Sequence, residues 1–426
     1  MIHVKVMVAK DTLLQVVYEQ RQSFLEEIIP RKIDMGLVTA PEILVITGVR
    51  RCGKSTLLRQ IQKQISESDY YINFDDERLL NFTVDDFQML DELFHSEFGE
   101  QHTYYFDEIQ NVNGWERFVD RLYNTGNKVF VTGSNANLLS RELGTLLTGR
   151  HMTMELYPFS FTEFLAYRKY SYRKQDLYTT EGRARLGRYL LEYLKVGGMP
   201  QYLKSGNPAF LKSLYTDIVF RDVIVRNGIT AEASLREMIY YLASNVTHPF
   251  TFNSVAKKIG VKSMETVSNW IFCLEQTYMV RCLNKYDPKV GVQLRSPKKL
   301  YFIDNALAGQ VGFNLSKNQG LWLENAVAIE LQRRGKDFYY HSNGHECDFI
   351  VRSGDTVTQA IQVSAVMDQP DTRKREVEGI LAAMEAYQLK KGTIVTLDRR
   401  ETIEDESGRQ VEVVPCWLWM MEENGE

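Results

Sequence analysis

Runs of consecutive apolar residues recur along the first third of the chain, and segments with helical spacing of apolar residues separate them. Continuous apolar runs of this length are typical of strands in a parallel sheet that is buried on both faces. Helical spacing is typical of amphipathic helices that cover such a sheet. We therefore predict an α/β domain over residues 1–165, with strands at 43–47, 70–74, 104–106, 128–132 and 152–156 and helices at 11–35, 55–65 and 85–98.

The pattern changes after this domain. Residues 166–245 keep helical spacing, interrupted at 197–200, and contain no strand-like run, so we expect a helical bundle. Beyond it the chain predicts two short helices at 255–259 and 263–277 and then a strand at 280–283. Two helices joined by a tight turn and followed by a strand are typical of a winged helix, which we expect within residues 246–300.

Charge adds to the interpretation of this segment. Residues 251–300 hold nine lysines and arginines against three acids, in a chain whose net charge is −4. A local excess of positive charge suits contacts with DNA phosphates. A winged helix that contacts protein instead is the alternative that the sequence leaves open.

The segment after the first predicted strand has the spacing G-x-x-x-x-G-K-S. In this pattern backbone N–H groups curve around the phosphates of a nucleotide, and the following helix begins at the same anion. We expect Lys54 to reach the β- and γ-phosphates and the Ser55 hydroxyl to bind Mg²⁺. The predicted nucleotide-binding residues are Gly48, Val49, Arg50, Arg51, Cys52, Gly53, Lys54, Ser55 and Thr56.

Two adjacent carboxylates, Asp107 and Glu108, end the predicted strand at 104–106. We expect Asp107 to hold Mg²⁺ and Glu108 to act as the base that polarises the attacking water. The loop contacts phosphates and not the base, so the spacing alone leaves ATP and GTP open.

Two further candidates follow the later strands. Ser134, with Thr132 and Asn135 close to it, is our candidate for a polar side chain on the γ-phosphate or the attacking water; an ordinary polar turn is the alternative. Arg150 precedes the last predicted strand and is a candidate arginine finger, a cation that stabilises the transition state, usually in a neighbouring subunit. A surface arginine is the alternative for Arg150.

Composition limits the class of protein. The 426 residues allow two to four domains, and 44% hydrophobic with 25% charged residues is ordinary for a globular protein. Five scattered cysteines without a C-x-x-C pair favour a reducing compartment, so we expect a cytoplasmic protein. The first residues lack the apolar core of a signal peptide, and no apolar run has the length of a membrane span. We therefore expect no membrane partner.

Several stretches together resemble a known family, the AAA-type ATPases of the AAA_14 group with a DUF4143 C-terminal region. The resemblance covers nearly the whole chain and is carried by GVRRCGKSTLL, YINFDDERL, YYFDEIQNVNGWERFVDRLY, VFVTGSNANLLSRELGTLLTGR, ELYPFSFTEFL, GGMPQYL and LENAVAIELQRRG. It implies a P-loop parallel sheet of the branch with an extra strand between the phosphate loop and the acids. It also implies ATP as the nucleotide, a winged helix, and a PD-(D/E)xK nuclease-like domain at 301–426.

The last domain departs from the pattern that the resemblance implies. Glu324 and Asp348 match the first two acidic positions of the nuclease motif, but Gln362 stands at the third acid and Ser364 at the lysine. A neutral amide is a weaker Mg²⁺ ligand than a carboxylate, and serine supplies no positive charge. We therefore expect a degenerate site, with Lys374 as the nearest replacement lysine. We expect His341, His345 and Cys347 to be ordinary residues of a hairpin and not metal ligands.

The sequence leaves three functional hypotheses open. The first is a Mg²⁺-dependent ATPase whose ATP cycle controls a DNA- or protein-binding C-terminal half, and which forms a homo-oligomer. The second is an ATP-gated nuclease in defence or mobile-element control. The third is a non-hydrolysing switch whose response to ATP is a change of assembly.

Overall fold

The computed structural model describes residues 8–22, 28–134, 147–313 and 318–422. The chain divides into two compact units, Met1–Leu156 and Tyr157–Glu426. Among the described residues, every helix is too short or too polar to cross a membrane.

The first unit is built on a five-stranded sheet with strand order β2-β3-β4-β1-β5. All four pairings between these strands are parallel. The strands are β1 (Ile43–Thr47), β2 (Tyr70–Asn73), β3 (Thr103–Asp107), β4 (Lys128–Thr132) and β5 (His151–Glu155). The strand predicted between the phosphate loop and the acids is present as β2, and in the sheet β4 lies between β1 and β3.

Helices cover both faces of this sheet, as its largely apolar, buried central strands require. They are α1 (Lys10–Gln22), α2 (Met35–Thr39), α3 (Lys54–Gln62), α4 (Phe87–Phe98) and α5 (Trp115–Asn124). Alternate residues of each strand enter opposite cores. Val45 and Phe106 pack with α1, α4 and α5, whereas Ile46 and Tyr105 pack with α2 and α3.

One prediction here was wrong. The helix expected over 11–35 is interrupted before residue 35: the described part of α1 is Lys10–Gln22, and residues 28–34 are neither helix nor strand before α2 begins at Met35. Pro30 explains the break, because a proline ring disfavours helical geometry at the preceding residue and supplies no N–H.

The second unit begins with helices and contains no strand between residues 166 and 245, as the sequence predicts. The helices are α6 (Phe161–Tyr167), α7 (Thr180–Val196), α8 (Pro200–Ser205), α9 (Pro208–Asp217) and α10 (Glu232–Ser244), with a π-helical stretch at Ile218–Val225 after α9.

Two helices and an antiparallel strand pair come next. These are α11 (Phe252–Lys258), α12 (Met264–Gln276), β6 (Val280–Asn284) and β7 (Lys298–Phe302), with the short helix α13 (Val290–Arg295) between the two strands. Thr251 caps α11 and Ser263 caps α12 through side-chain hydrogen bonds to backbone N–H groups. The element order is the one that the sequence predicts for this segment.

The remaining chain forms a six-stranded mixed sheet with strand order β12-β13-β11-β10-β9-β8. Its strands are β8 (Asp337–Asn343), β9 (His345–Ser353), β10 (Thr356–Val363), β11 (Lys391–Thr396), β12 (Glu401–Glu404) and β13 (Gln410–Pro415). The accompanying helices are α14 (Asn305–Val311), α15 (Gln319–Arg333), α16 (Pro370–Ala386) and α17 (Cys416–Met421). Helix α16 packs on β9, β10 and β11, and α15 contacts β7 and β10.

Candidate nucleotide site

The loop between β1 and α3 has the backbone conformation that its glycines permit. Gly48 and Gly53 have φ values of 140° and 106°, and Arg51 is left-handed at 65°. A Cβ at Gly48 would lie 2.2 Å from the backbone oxygen of Leu156, which follows β5. Only glycine fits at this position, and α3 begins directly after the loop, at Lys54.

Lys54 is buried inside this loop. Its Nζ lies 3.4 Å from the carbonyl oxygen of Gly48 and 3.5 Å from that of Val49. The same Nζ lies 3.5 Å from Oε1 of Glu108, the second of the two predicted acids. Burial lowers the pKa of Lys54, but Glu108 and other neighbours raise it by more, so its pKa is raised overall. The ammonium is thus held charged between the loop and Glu108.

Asp107 ends β3 and is completely buried. Its Oδ1 accepts a hydrogen bond of 2.5 Å from Thr132, and its Oδ2 accepts one of 3.2 Å from the Tyr71 hydroxyl. Burial and the neighbouring Glu108 raise the pKa of Asp107, while hydrogen bonds from Thr132 and Ser55 lower it. The contact with Ser55 brings together the two residues that the sequence predicts for Mg²⁺.

Glu108 follows with a left-handed backbone, at φ 51°. A non-glycine residue in this region is strained, and such strain is concentrated at functional sites. Its backbone N–H donates to Thr132 Oγ1 at 2.9 Å, and its Oε2 accepts from Gln110 at 2.6 Å. Burial raises the pKa of Glu108, but Lys54 and Gln110 lower it by more, so the carboxyl is held below its usual pKa.

Two positions at the end of β4 bear on the predicted phosphate contact. Thr132 binds both Asp107 and Glu108, so it positions the acids. Ser134 is buried, and the N–H of Gly133 donates to Ile46 of β1, which keeps this turn beside the phosphate loop. Ser134 remains the candidate for the γ-phosphate, and Asn135 lies outside the described residues.

Arg150 lies at the amino edge of the sheet, where β1 begins, and the phosphate loop lies at the opposite, carboxyl edge. Its carbonyl accepts from the N–H of Ile43, the first residue of β1, and His151 pairs with the same residue in register. The phosphate loop follows the last residue of β1, about 16 Å away along a five-residue strand. Arg150 is ion-paired with Asp120 of α5. It does not reach the phosphate loop of its own chain, and a role in a neighbouring subunit stays a prediction.

Arg31 is a site residue that the sequence analysis missed. It is buried, and its Nη2 donates at 2.6 Å to the carbonyl of Cys52 inside the phosphate loop. The Gln60 side chain of α3 binds both the N–H and the carbonyl of Arg31. No periodicity marks Arg31, because it lies in the extended segment before α2. Arg31 therefore links the carbonyl of the loop residue Cys52 to Gln60 of α3.

The predicted nuclease-like residues also come together, in the second unit. Lys299 Nζ lies 3.1 Å from Glu324 Oε1 and 3.1 Å from Asp348 Oδ1. Gln362 accepts from the Asp348 N–H at 3.1 Å. Ser364 instead donates to the backbone carbonyl of Val366.

Lys374, the nearest candidate for a replacement lysine, does not reach this cluster. Lys374 is exposed and lies 3.9 Å from Glu378 on its own helix. Lys299, one of the nine basic residues of 251–300 whose charge we expected to suit DNA phosphates, is buried and not available for such a contact. The strand alternation could have shown this, because Lys299 shares a strand face with the buried Tyr301.

The hairpin histidines and cysteine do not form a metal site. His341 binds the Tyr387 hydroxyl at 2.7 Å, His345 is exposed, and Cys347 is buried with its thiol on the Ile361 carbonyl. Across the part of the chain that the structure describes, no group of three or more His, Cys, Asp or Glu side chains is arranged to hold a metal ion.

Comparisons with known proteins place these features in a family. The sequence model of the AAA domain family AAA_14 matches residues 40–165, and that of a domain of unknown function, DUF8612, matches residues 187–319. The second match differs from the predicted DUF4143 region, which stays a prediction.

Among solved structures, the chain is similar to the Walker-type ATPase of Pyrococcus abyssi, with a TM-score of 0.34, 15% identity and coverage of 72% of this chain and 96% of that one. It is similar to Cdc6p of Pyrobaculum aerophilum, with a TM-score of 0.26, 12% identity and coverage of 76% and 99%. TM-scores this low support no conclusion about this chain.

Sequence relatives give a stronger result. An uncharacterised protein of Methanocaldococcus jannaschii is 32% identical over 93% of this chain and 91% of its own length. An uncharacterised protein of Haemophilus influenzae is 31% identical over 86% and 91%. The chain therefore belongs to the family of these two relatives, and its residues 40–165 are an AAA domain of the AAA_14 family.

Proposed function

We propose that this protein binds ATP with Mg²⁺ and hydrolyses it, and that the ATP cycle controls a C-terminal half that binds DNA or protein. The approach of Lys54 Nζ to Glu108 Oε1, at 3.5 Å, carries the first part of the proposal. It brings the residue expected on the phosphates next to the residue expected to activate water.

The roles within the site follow from the chemistry of each group. The residues around Asp107 fit a Mg²⁺ ion, because this buried carboxylate lies within hydrogen-bond reach of the Ser55 hydroxyl and both are oxygen donors. Bound Mg²⁺ would neutralise phosphate charge. Lys54 adds positive charge at the phosphates, and Glu108 accepts a proton from the attacking water. The lowered pKa of Glu108 keeps this carboxylate ionised, which is the protonation state that a base requires.

The test separates binding from turnover. Glu108→Gln is expected to keep ATP affinity and to lower turnover about 10²- to 10⁴-fold, the usual contribution of a general base. Lys54→Ala is expected to lose ATP binding. Glu92→Gln, an exposed glutamate on α4, is the matched control and should behave as wild type. ATP hydrolysis by Glu108→Gln at the wild-type rate would refute the assignment.

Basic side chains around α11, α12 and the β6–β7 pair support a DNA-binding role for the second unit. The exposed ones are Lys257, Lys258, Lys262, Arg281, Lys289 and Arg295. They lie at the end of α11, in the turn that follows it, and around the strand pair. The helix α12 contains no lysine or arginine. We therefore assign the basic residues to phosphate contacts rather than to reading of bases.

Duplex binding tests this assignment. Lys257→Ala with Lys262→Ala should weaken binding to unrelated duplexes equally and reduce the salt slope by about 0.9 per lost phosphate contact. Lys390→Ala with Lys391→Ala, two exposed lysines elsewhere in the same unit, is the control. An unchanged slope would contradict the DNA proposal.

A protein partner is the second candidate for the same surface. The exposed face of α12 carries Met264, 61% exposed, and Phe272, 52% exposed. Such side chains are enriched in protein interfaces. If the basic variants leave duplex binding unchanged, this candidate replaces DNA.

The two other hypotheses have direct tests. A non-hydrolysing switch predicts ATP-dependent assembly without turnover, which size measurement of wild type with and without ATP distinguishes from a hydrolase. A nuclease predicts Mg²⁺- or Mn²⁺-dependent nicking of plasmid that Asp348→Ala abolishes. Gln362 and Ser364 argue against the nuclease, because an amide binds Mg²⁺ more weakly than a carboxylate and serine carries no positive charge.

A further inference from the structure

The cluster between β7, α15 and β9 has a lysine at its centre. The Lys299 side chain is 2% exposed. Its Nζ lies 3.1 Å from Glu324 Oε1, 3.1 Å from Asp348 Oδ1 and 2.6 Å from Glu346 Oε1. Three carboxylates therefore share one ammonium.

The acidic oxygens also accept bonds from other groups of the chain. Glu324 Oε1 accepts from the Tyr301 hydroxyl at 2.8 Å. Asp348 Oδ2 accepts from the Val363 N–H at 3.0 Å. Glu324 Oε1 and both oxygens of Asp348 are thus already bound by donors from within the protein.

The side chain at the third acidic position is occupied in the same way. Gln362 Oε1 accepts from the Asp348 N–H at 3.1 Å, and its Nε2 donates to Glu376 of α16 at 2.5 Å. Both polar atoms of Gln362 therefore have partners, and the amide is held in place as a link between β9 and α16.

These contacts do not fit a divalent metal ion. Mg²⁺ requires oxygen ligands at about 2.0–2.1 Å in octahedral geometry, and it retains water molecules. The ammonium of Lys299 instead lies at hydrogen-bond distance from its acceptors and supplies the compensating positive charge. A metal ion bound by Glu324 and Asp348 would lie next to this ammonium and be repelled by it.

We propose that Lys299 is the permanent cation of the Glu324–Glu346–Asp348 cluster and closes it to divalent metal ions. A divalent cation binds there only when the lysine side chain is removed. The β6–β7 pair is thereby held to α15 and β9 by a charge contact and not by a metal. This inference is independent of ATP hydrolysis.

Removal of the lysine in two ways gives the test. Lys299→Ala removes the charge and leaves space, whereas Lys299→Met removes the charge and fills the space. Mn²⁺ binding to nucleotide-free protein, measured by electron paramagnetic resonance, should be at least about tenfold tighter in Lys299→Ala than in wild type or Lys299→Met. Asp348→Asn added to Lys299→Ala should abolish the gain. Lys374→Ala, which removes an exposed lysine, is the matched control.

Stability gives a second measurement. Lys299→Met should lower the unfolding midpoint, and Glu324→Gln with Asp348→Asn added to it should restore part of the loss, because the uncompensated charges are then gone. If Lys299→Ala fails to fold without added metal, recovery on refolding in Mn²⁺ supports the proposal and failure to recover overturns it.

Other outcomes would overturn the proposal directly. One is a wild-type protein that binds Mn²⁺ at a site lost in Asp348→Asn, or that nicks plasmid in a manner dependent on Asp348. The other is a Lys299→Ala protein that binds no more Mn²⁺ than the Lys374→Ala control.

Discussion

The hydroxyl of Thr132 offers a sharp test of how the candidate site is held together. Thr132 is completely buried at the end of β4. It donates to Asp107 Oδ1 and accepts from the Glu108 N–H. One side chain therefore fixes both acids, although it lies 24 and 25 residues from them. Thr132→Val keeps the shape of the side chain and removes both hydrogen bonds.

The magnitude follows from the type of each bond. A hydrogen bond to a charged group contributes about 1.5–3 kcal/mol, and a neutral one about 1 kcal/mol. The buried Asp107 carboxylate and the Glu108 N–H both lose this partner in the variant. We therefore expect Thr132→Val to lower the free energy of unfolding by about 2–4 kcal/mol.

Thr47 at the end of β1 is the matched control. It is buried as well, but its hydroxyl has no hydrogen-bond partner within the described ranges. Thr47→Val makes the same chemical change without removing a bond, and it removes a buried polar group that costs free energy. Its free energy of unfolding should equal or exceed that of wild type.

Urea unfolding of the two full-length variants and single-turnover ATP hydrolysis are the assays. Thr132→Val should unfold at lower urea than Thr47→Val. Its hydrolysis should be slower with ATP affinity nearly unchanged, because Glu108 loses its backbone contact while Asp107 keeps its bonds from Tyr71 and Ser55. Equal unfolding free energies for the two variants would refute the reasoning, since it rests entirely on the hydrogen bonds of one threonine.

Three further changes test the loop and the far edge of the sheet. Arg31→Ala should weaken ATP binding about tenfold in a fluorescence titration, since it removes a charged hydrogen bond to the phosphate loop; unchanged affinity would contradict this. Gly48→Ala should lower stability by about 2 kcal/mol or more in thermal unfolding, because its Cβ would overlap a backbone oxygen; a wild-type midpoint would count against the loop geometry. Arg150→Ala should leave ATP affinity unchanged and, if Arg150 acts in a neighbouring subunit, reduce turnover about 10³-fold; unchanged turnover would make it a surface residue.

The sheet of the first unit was predictable because its signal is local. The central strands are short, mostly apolar runs, and β1 and β3 are buried at every position. The phosphate loop and Asp107-Glu108 directly follow such runs, so their place at one edge of a parallel sheet follows from strand direction. Contacts between residues within a few positions of each other carried the prediction.

Contacts between distant parts of the chain were not predictable in the same way. Arg31 reaches the Cys52 carbonyl from an extended segment that the helical spacing had assigned to α1. Lys299 was grouped with surface charges, yet it lies among acids 25 and 49 residues away. A buried charge is visible only when its partners are known, because no sequence pattern records which strand face meets which helix.

The position of Arg150 connects the candidate site with the predicted homo-oligomer. The phosphate loop, Lys54 and Glu108 lie at the carboxyl edge of the sheet, whereas Arg150 lies at the amino edge of the same sheet. If Arg150 stabilises the transition state, it therefore acts on the site of a second chain, in an assembly that brings the amino edge of one sheet to the carboxyl edge of another. Mixing tests this directly: Glu108→Gln keeps Arg150, and Arg150→Ala keeps Glu108, so mixed assemblies should recover turnover that both variants lack alone. A mixture no more active than the sum of the two separate variants would contradict a role of Arg150 in a second chain. The ion pair with Asp120 would then be the contact that Arg150 makes.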